Sequence, residues 1–204
     1  MKDFNNRAIR CINRNLHKLW FKFVTYFNVL YAKNIGVNIL GNIEFNGWTS
    51  FFRSTNSKIE IGKNCIFNSV CYKNHIGINH RCILSVTPPD DSTIGILKIG
   101  DNCGFSGTSI WCFNKIIIGN NVRCGANTLI MDGDAHFDDP RTSASKPIIL
   151  KDNVFLGANV IVKKGVTIGE NSVIGMNSVV THDIPANSIA VGIPCKVIKT
   201  INIK

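Results

Sequence analysis

One histidine in this chain stands among four carboxylates, in the run Asp132-Gly133-Asp134-Ala135-His136-Phe137-Asp138-Asp139-Pro140. Neutral imidazole accepts protons near neutral pH, so His136 suits a reaction that removes a proton from a hydroxyl or an amine. A carboxylate beside it would hold one tautomer and stabilise the imidazolium that forms. The same composition equally describes a solvated surface loop. The remaining reactive side chains are less organised. Eight cysteines (Cys11, Cys65, Cys71, Cys82, Cys103, Cys112, Cys124 and Cys195) include no pair two or four residues apart, so the usual zinc-site spacing is absent and no metal is expected. None has an evident base beside it, which argues against a thiol nucleophile and for direct transfer. With no secretory signal in view, the cysteines read as small apolar thiols in a reducing, cytoplasmic compartment.

A loop positions a base only if something rigid holds the loop, and the sequence names the scaffold through its period. From Leu150 onward every sixth residue is aliphatic: Leu150, Leu156, Val162, Ile168, Ile174 and Val180. A helix needs spacings of three and four, and a lone strand needs alternation. A period of six fits short strands joined by tight bends, one aliphatic side chain per strand pointing inward and glycine relieving the corners. Three such strands make a coil of 18 residues. A turn signature recurs in step: Ile99-Gly100-Asp101-Asn102, Ile118-Gly119-Asn120-Asn121, Leu150-Lys151-Asp152-Asn153 and Ile168-Gly169-Glu170-Asn171. The gaps are 19, 32 and 18 residues. The long one is a coil plus about 14 inserted residues, and His136 lies in that insertion, near 132–146. Earlier, Ile61-Gly62-Lys63-Asn64 precedes Ile99 by 38 residues, which reads as two coils plus a short excursion at Thr87–Ser92.

The runs Val154-Phe155-Leu156-Gly157-Ala158-Asn159-Val160, Gly165-Val166-Thr167-Ile168-Gly169 and Gly175-Met176-Asn177-Ser178-Val179-Val180-Thr181, followed by Ile184-Pro185 and Gly192-Ile193-Pro194, strongly resemble the hexapeptide-repeat acyltransferases. Within that superfamily the chain looks most like the maltose and galactoside acetyltransferases and the polysaccharide O-acetyltransferases. The resemblance implies an all-β, left-handed parallel β-helix, a homotrimer, and acetyl-CoA lying between neighbouring subunits. It implies that His136 is the catalytic base, with Asp134 as first choice for its orienting partner. Asp132 is the second choice, or a substrate ligand. Ser106 and Thr108 resemble a stretch lining an acceptor pocket. Backbone contacts to coenzyme A are implied at Ala158 and Met176, with Thr181 near the pantetheine or nucleotide. Lys196 and Lys199 stand where basic residues meet the phosphates. The implied acceptor is a saccharide hydroxyl. Phe155, Met176 and His182 depart from the commonest pattern, and the loop is shorter than in galactoside acetyltransferases. A γ-class carbonic anhydrase would share the fold and bind zinc through three histidines. His75 and His80 suit it, but only His17 precedes them.

Residues 1–36 read as a separate helical segment before a β-helix domain at 37–204. Ile9, Ile12, Leu16, Leu19, Trp20, Phe23, Phe27 and Leu30 follow helical spacing, with Arg7, Arg10, Arg14, Lys18 and Lys22 on another stripe. Such a helix would cover the open edge of the first coil, or meet an anionic membrane surface, or both. The net charge of +10 calls for an anionic partner. Coenzyme A and a lipid surface qualify, whereas no nucleic-acid-binding motif accompanies the basic residues. No stretch of about 18 uncharged apolar residues offers a membrane span.

Overall fold

The computed structural model describes residues 2–90 and 92–202, with side chains from residue 15 onward. Helix α1 (Lys2–Asn34) leads into six coils of three strands each. The first face of the coil stack holds β1 (Asn38–Ile39), β4 (Lys58–Ile61), β7 (Ile96–Ile99), β10 (Lys115–Ile118), β13 (Ile148–Leu150) and β16 (Thr167–Ile168). The second holds β2 (Ile43–Asn46), β5 (Cys65–Asn68), β8 (Gly104–Ser106), β11 (Arg123–Ala126), β14 (Phe155–Leu156) and β17 (Val173–Ile174). The third holds β3 (Ser50–Arg53), β6 (Ile83–Val86), β9 (Ser109–Cys112), β12 (Leu129–Met131), β15 (Ile161–Val162) and β18 (Val179–Val180). Every pairing between coils is parallel, with Ile99 beside Ile118, Ile118 beside Leu150 and Leu150 beside Ile168. The predicted period and the 14-residue insertion are thus both present in the register.

The column of inward side chains changes along the stack. On the second face Phe45, Phe67 and Phe105 stack ring on ring at 5.2 and 4.9 Å, and then Cys124, Leu156, Ile174 and Ala190 take their place. Among the described residues nine asparagines, including Asn121, Asn153, Asn159, Asn171 and Asn177, occupy corners at φ of +56 to +60°. Asparagine tolerates this left-handed region better than other side chains that carry a Cβ. Here it also pairs upward: Asn121 donates to Asn153, Asn153 to Asn171 and Asn171 to Asn187 at 2.9–3.1 Å. A second ladder runs through Asn127, Asn159 and Asn177 along the corner between the second and third faces.

Two readings of the sequence are corrected. Ile61 pairs directly with Ile99, so the 38 residues between them are one coil, not two. The surplus divides between an excursion at 69–82 and another at 87–95, of which only the second carries proline. The helix also caps the stack with a different face. Phe21, Val24, Asn28 and Ala32 are buried, while Leu16, Leu19, Trp20, Phe23, Phe27 and Leu30 are exposed. The capping chemistry is polar as well as apolar. Thr25 Oγ1 donates to the Phe45 carbonyl and accepts from its N–H, and Asn28 accepts from Thr49 N–H and donates to the Gly47 carbonyl. These are the backbone groups that an open first coil would leave unpaired. At the other end β19 (Ser188–Val191) continues the second face, and β20 (Lys196–Thr200) pairs with it antiparallel. Ile184 bridges to Ile168 on the first face, and Cys195 N–H bonds the Val179 carbonyl on the third.

Candidate active site

The insertion leaves the stack after β12, and its first residue roots it. Asp132 is fully buried, and its carboxylate accepts backbone N–H bonds from Phe113 (2.7 Å), Asn114 (2.9 Å) and Lys115 (2.6 Å), the bend of the coil below. Gly133 must lack a side chain, because a Cβ would meet Ser145 Oγ at 2.5 Å and the Phe113 ring at 2.7 Å. From the coil above, Lys164 donates to the Asp134 carboxylate and to the Ser143 carbonyl at 2.8 Å, tying the two limbs of the loop together. That contact holds the Asp134 carboxyl below the usual carboxylate range. Phe137 packs edge-on against Phe113 at 4.9 Å. The His136 carbonyl accepts from Thr142 Oγ1 and from Asp139 N–H. The backbone of His136 is therefore held, while its imidazole is exposed and makes no hydrogen bond among the described residues.

Three of the predicted residues have contacts of their own in the fold. Asp132 has both oxygens engaged by backbone N–H groups and makes no hydrogen bond to His136 among the described residues. Asp134 pairs with Lys164 rather than with the imidazole. Thr108 is fully buried. Ser106 accepts from Asn68 Nδ2 at 3.3 Å and lines the outer groove of the second face. Thr181 Oγ1 lies 2.9 Å from His182 Nδ1 at the corner after β18, and Lys196 and Lys199 are exposed on β20.

That groove has a volume of about 680 Å³ and runs up the second face to the asparagine-lined corner, within the usual range for small-molecule sites. Asn68, Asn74 and Ser106 stand at one end, Arg123 midway, and Phe155, Ala158 and Met176 at the other. The backbone N–H groups of Ala158 and Met176, one coil apart, have no partner among the described residues, although their neighbours Gly157, Asn159, Gly175 and Asn177 are all bonded. Unpaired N–H groups beside an open groove are donors waiting for an acceptor on a ligand. Together with the Arg123 guanidinium and the apolar faces of Phe155 and Met176, they fit a long chain bearing amides and anionic groups.

A family model described as a hexapeptide repeat of succinyl-transferase matches residues 147–182. A galactoside O-acetyltransferase of Escherichia coli (strain K12) is 39% identical over 131 residues, 63% of this chain and 54% of that protein. A galactoside O-acetyltransferase of Lactococcus lactis subsp. lactis (strain IL1403) is 35% identical over 154 residues, 70% of this chain and 63% of that protein. The chain thus spans less than two thirds of these curated relatives. The solved structure of a hexapeptide-repeat acetyltransferase from Vibrio cholerae O1 biovar eltor, complexed with acetyl coenzyme A, shares the fold. Its TM-score is 0.50 at 21% identity, over 82% of this chain and 73% of that one. The chain carries the hexapeptide repeat and is similar over much of its length to galactoside O-acetyltransferases.

The coils are left-handed, and the groove and the inserted loop lie on different parts of the stack. The groove is lined by Ala126, Ala158 and Met176, which immediately precede the corner at Asn127, Asn159 and Asn177. His136 lies in the insertion that leaves the stack at the next corner, between β12 and β13. Five residues of extended chain separate Asn127 from Asp132, roughly 16 Å at strand rise. Two contributors to the site escaped the sequence reading. Lys164 had no signal beyond its place at a corner. Arg123 had only its position on an outward strand face.

Proposed function

We propose that this chain is an acetyl-CoA-dependent O-acetyltransferase acting on a saccharide hydroxyl, with each site assembled between two copies of a homotrimer. The observation that carries the reading is the rooted insertion, which presents one imidazole without a partner on a frame fixed by Asp132 and Lys164. The absence of His136 from the lining of the groove supports a site shared between two copies. The names of the curated relatives support the acceptor class, as do the amides of Asn68 and Asn74 beside Ser106, which suit a polyhydroxylated ligand.

When bound, acetyl-CoA supplies an acetyl group activated as a thioester. Ala158 and Met176 offer it their backbone N–H groups, and Arg123 offers positive charge. His136 of the facing copy takes the proton from the acceptor hydroxyl as its oxygen attacks, and the imidazolium returns that proton to the departing sulfur. Pairing with Lys164 keeps Asp134 from competing for the imidazole, so the ring stays available to substrate.

The test is complementation between copies. His136→Ala alone should lose about two to four orders of magnitude in turnover, the usual range for a general base. Met176→Glu, an exposed substitution, should weaken acetyl-CoA binding. Co-expressed in equal amounts, the two variants should regain about a quarter of wild-type activity, because random mixing in a cyclic assembly gives a quarter of the interfaces two intact halves. No recovery would place both halves in one chain, and near-normal turnover by His136→Ala would remove the base.

A further inference from the structure

The face of α1 turned away from the coils has no partner within the chain. Leu16, Leu19, Trp20, Phe23, Tyr26, Phe27 and Leu30 are all exposed, with Leu19 at 67% and Tyr26 at 64%. Trp20 stacks on Phe23, which packs at a tilt against Phe27 along that face. A cap needs an apolar face toward the core and a polar one toward water, and α1 has its broader apolar stripe on the wrong side for a cap alone. In the helical register Lys18, Lys22 and Lys33 all fall on one flank of this stripe. Lys18 and Lys22 also line a groove of about 630 Å³ between α1 and β2, together with Leu19, Tyr26, Glu44 and Lys73. Lys73 comes from the first excursion, its ammonium 4.4 Å from the Phe21 ring centroid. Three ammonium groups against one carboxylate, at the edge of an aromatic stripe, match an anionic headgroup above an acyl surface. Over residues 1–34 the sequence carries seven basic residues and one acidic. No helix among the described residues is long and apolar enough to cross a membrane.

We propose that α1 lies in the interface of an anionic lipid bilayer, apolar stripe in the acyl boundary, with Lys18, Lys22 and Lys73 gathering an anionic lipid headgroup in the adjoining groove. A second copy of the chain is the other occupant such a stripe would suit. The lysines favour lipid, because a partner helix of the same sequence would bring like charge to the same flank. The cap is retained in this arrangement, since Phe21, Val24, Thr25, Asn28 and Ala32 face the coils.

The experiment is flotation of the full-length protein with vesicles of phosphatidylcholine alone, or of phosphatidylcholine with about a third phosphatidylglycerol, at low and high salt. We expect binding to the anionic vesicles only, weakened by salt. Lys18→Gln/Lys22→Gln/Lys73→Gln should lower the partition coefficient about 100-fold, since each lysine near the surface contributes about a factor of five. Trp20→Ser/Phe23→Ser/Phe27→Ser, all exposed positions, should abolish binding while thermal unfolding and sedimentation stay unchanged. Equal binding to neutral vesicles, or none to anionic vesicles at low salt, would overturn the proposal. So would a change of sedimenting species in the triple serine variant, which would give the stripe to a second copy.

Discussion

Asp132→Asn separates a structural carboxylate from a chemical one. One oxygen of Asp132 holds the Phe113 N–H, and the other holds those of Asn114 and Lys115. An amide in that place keeps at best the pair shared by one oxygen, and turns its own NH₂ toward a third donor. The lost bond leaves a buried N–H unpaired, about 1–3 kcal/mol. The two bonds that remain weaken on losing their ionic partner, by about 1 kcal/mol each. The nearby Cys112 thiol, 3.7 Å from the carboxylate, offers no compensation, because burial and the Asp132 charge push its ionisation up and keep it a donor. The total is about 3–5 kcal/mol, and a chain of this size loses roughly 2–4 °C of Tm per kcal/mol. Thermal unfolding followed by circular dichroism should therefore drop by about 10 °C, whereas Asp138→Asn, exposed on the same loop, should stay within about 1–2 °C. A Tm unchanged by Asp132→Asn, with turnover lost, would refute the structural assignment and return this carboxylate to the chemistry.

Other outcomes follow from the same frame. Lys164→Met should release both limbs of the loop and lower kcat about tenfold with little change in KM for acetyl-CoA, read by thiol release, because it loosens the base and not the groove. Its partner has an acid signature: the Asp134 carboxyl titrates below its unfolded value, so its contribution is present above that value, near pH 3.9, and is lost as pH falls through the folded one. Acid-induced mobility of a probe on the loop should thus begin only below about pH 4 and vanish in Lys164→Met. Phe67→Ala, in the middle of the ring stack, should cost about 3–5 kcal/mol in denaturant unfolding. Asn153→Ala should cost about 2 kcal/mol and Asn153→Gly clearly less, because glycine keeps the positive φ and loses only the ladder bonds.

The sequence was informative where a physical repeat forces it to be. One inward side chain in six must be apolar, so the last three coils, the length of the insertion and the place of His136 were readable before any coordinates. The first excursion was not, because 38 residues suit two coils as well as one, and Ile76 and Ile78 imitate the buried column while lying outside it. Which side of the helix the coils cover is unreadable for a related reason. Apolar periodicity reports that a stripe exists, and Trp20 and Phe23 show that it does not report which side the protein covers. Side-chain direction was equally out of reach at Asp132 and Asp134. Both are carboxylates near a histidine in the sequence, yet one bonds the backbone of the coil below and the other a lysine from the coil above.

The two covered ends of the stack control more than solubility. Every coil offers its successor the same parallel edge, so the architecture is a linear polymer whose growth has no internal reason to stop after six units. Termination rests on few groups: Thr25 and Asn28 at one end, and the reversed strand β20 at the other. Loss of either would expose sheet edges at the strand spacing of a cross-β fibre, and chains would then be able to add end to end. Variants that unseat α1 or delete Lys196–Thr200 should accordingly form filaments, with a lag that shortens as concentration rises.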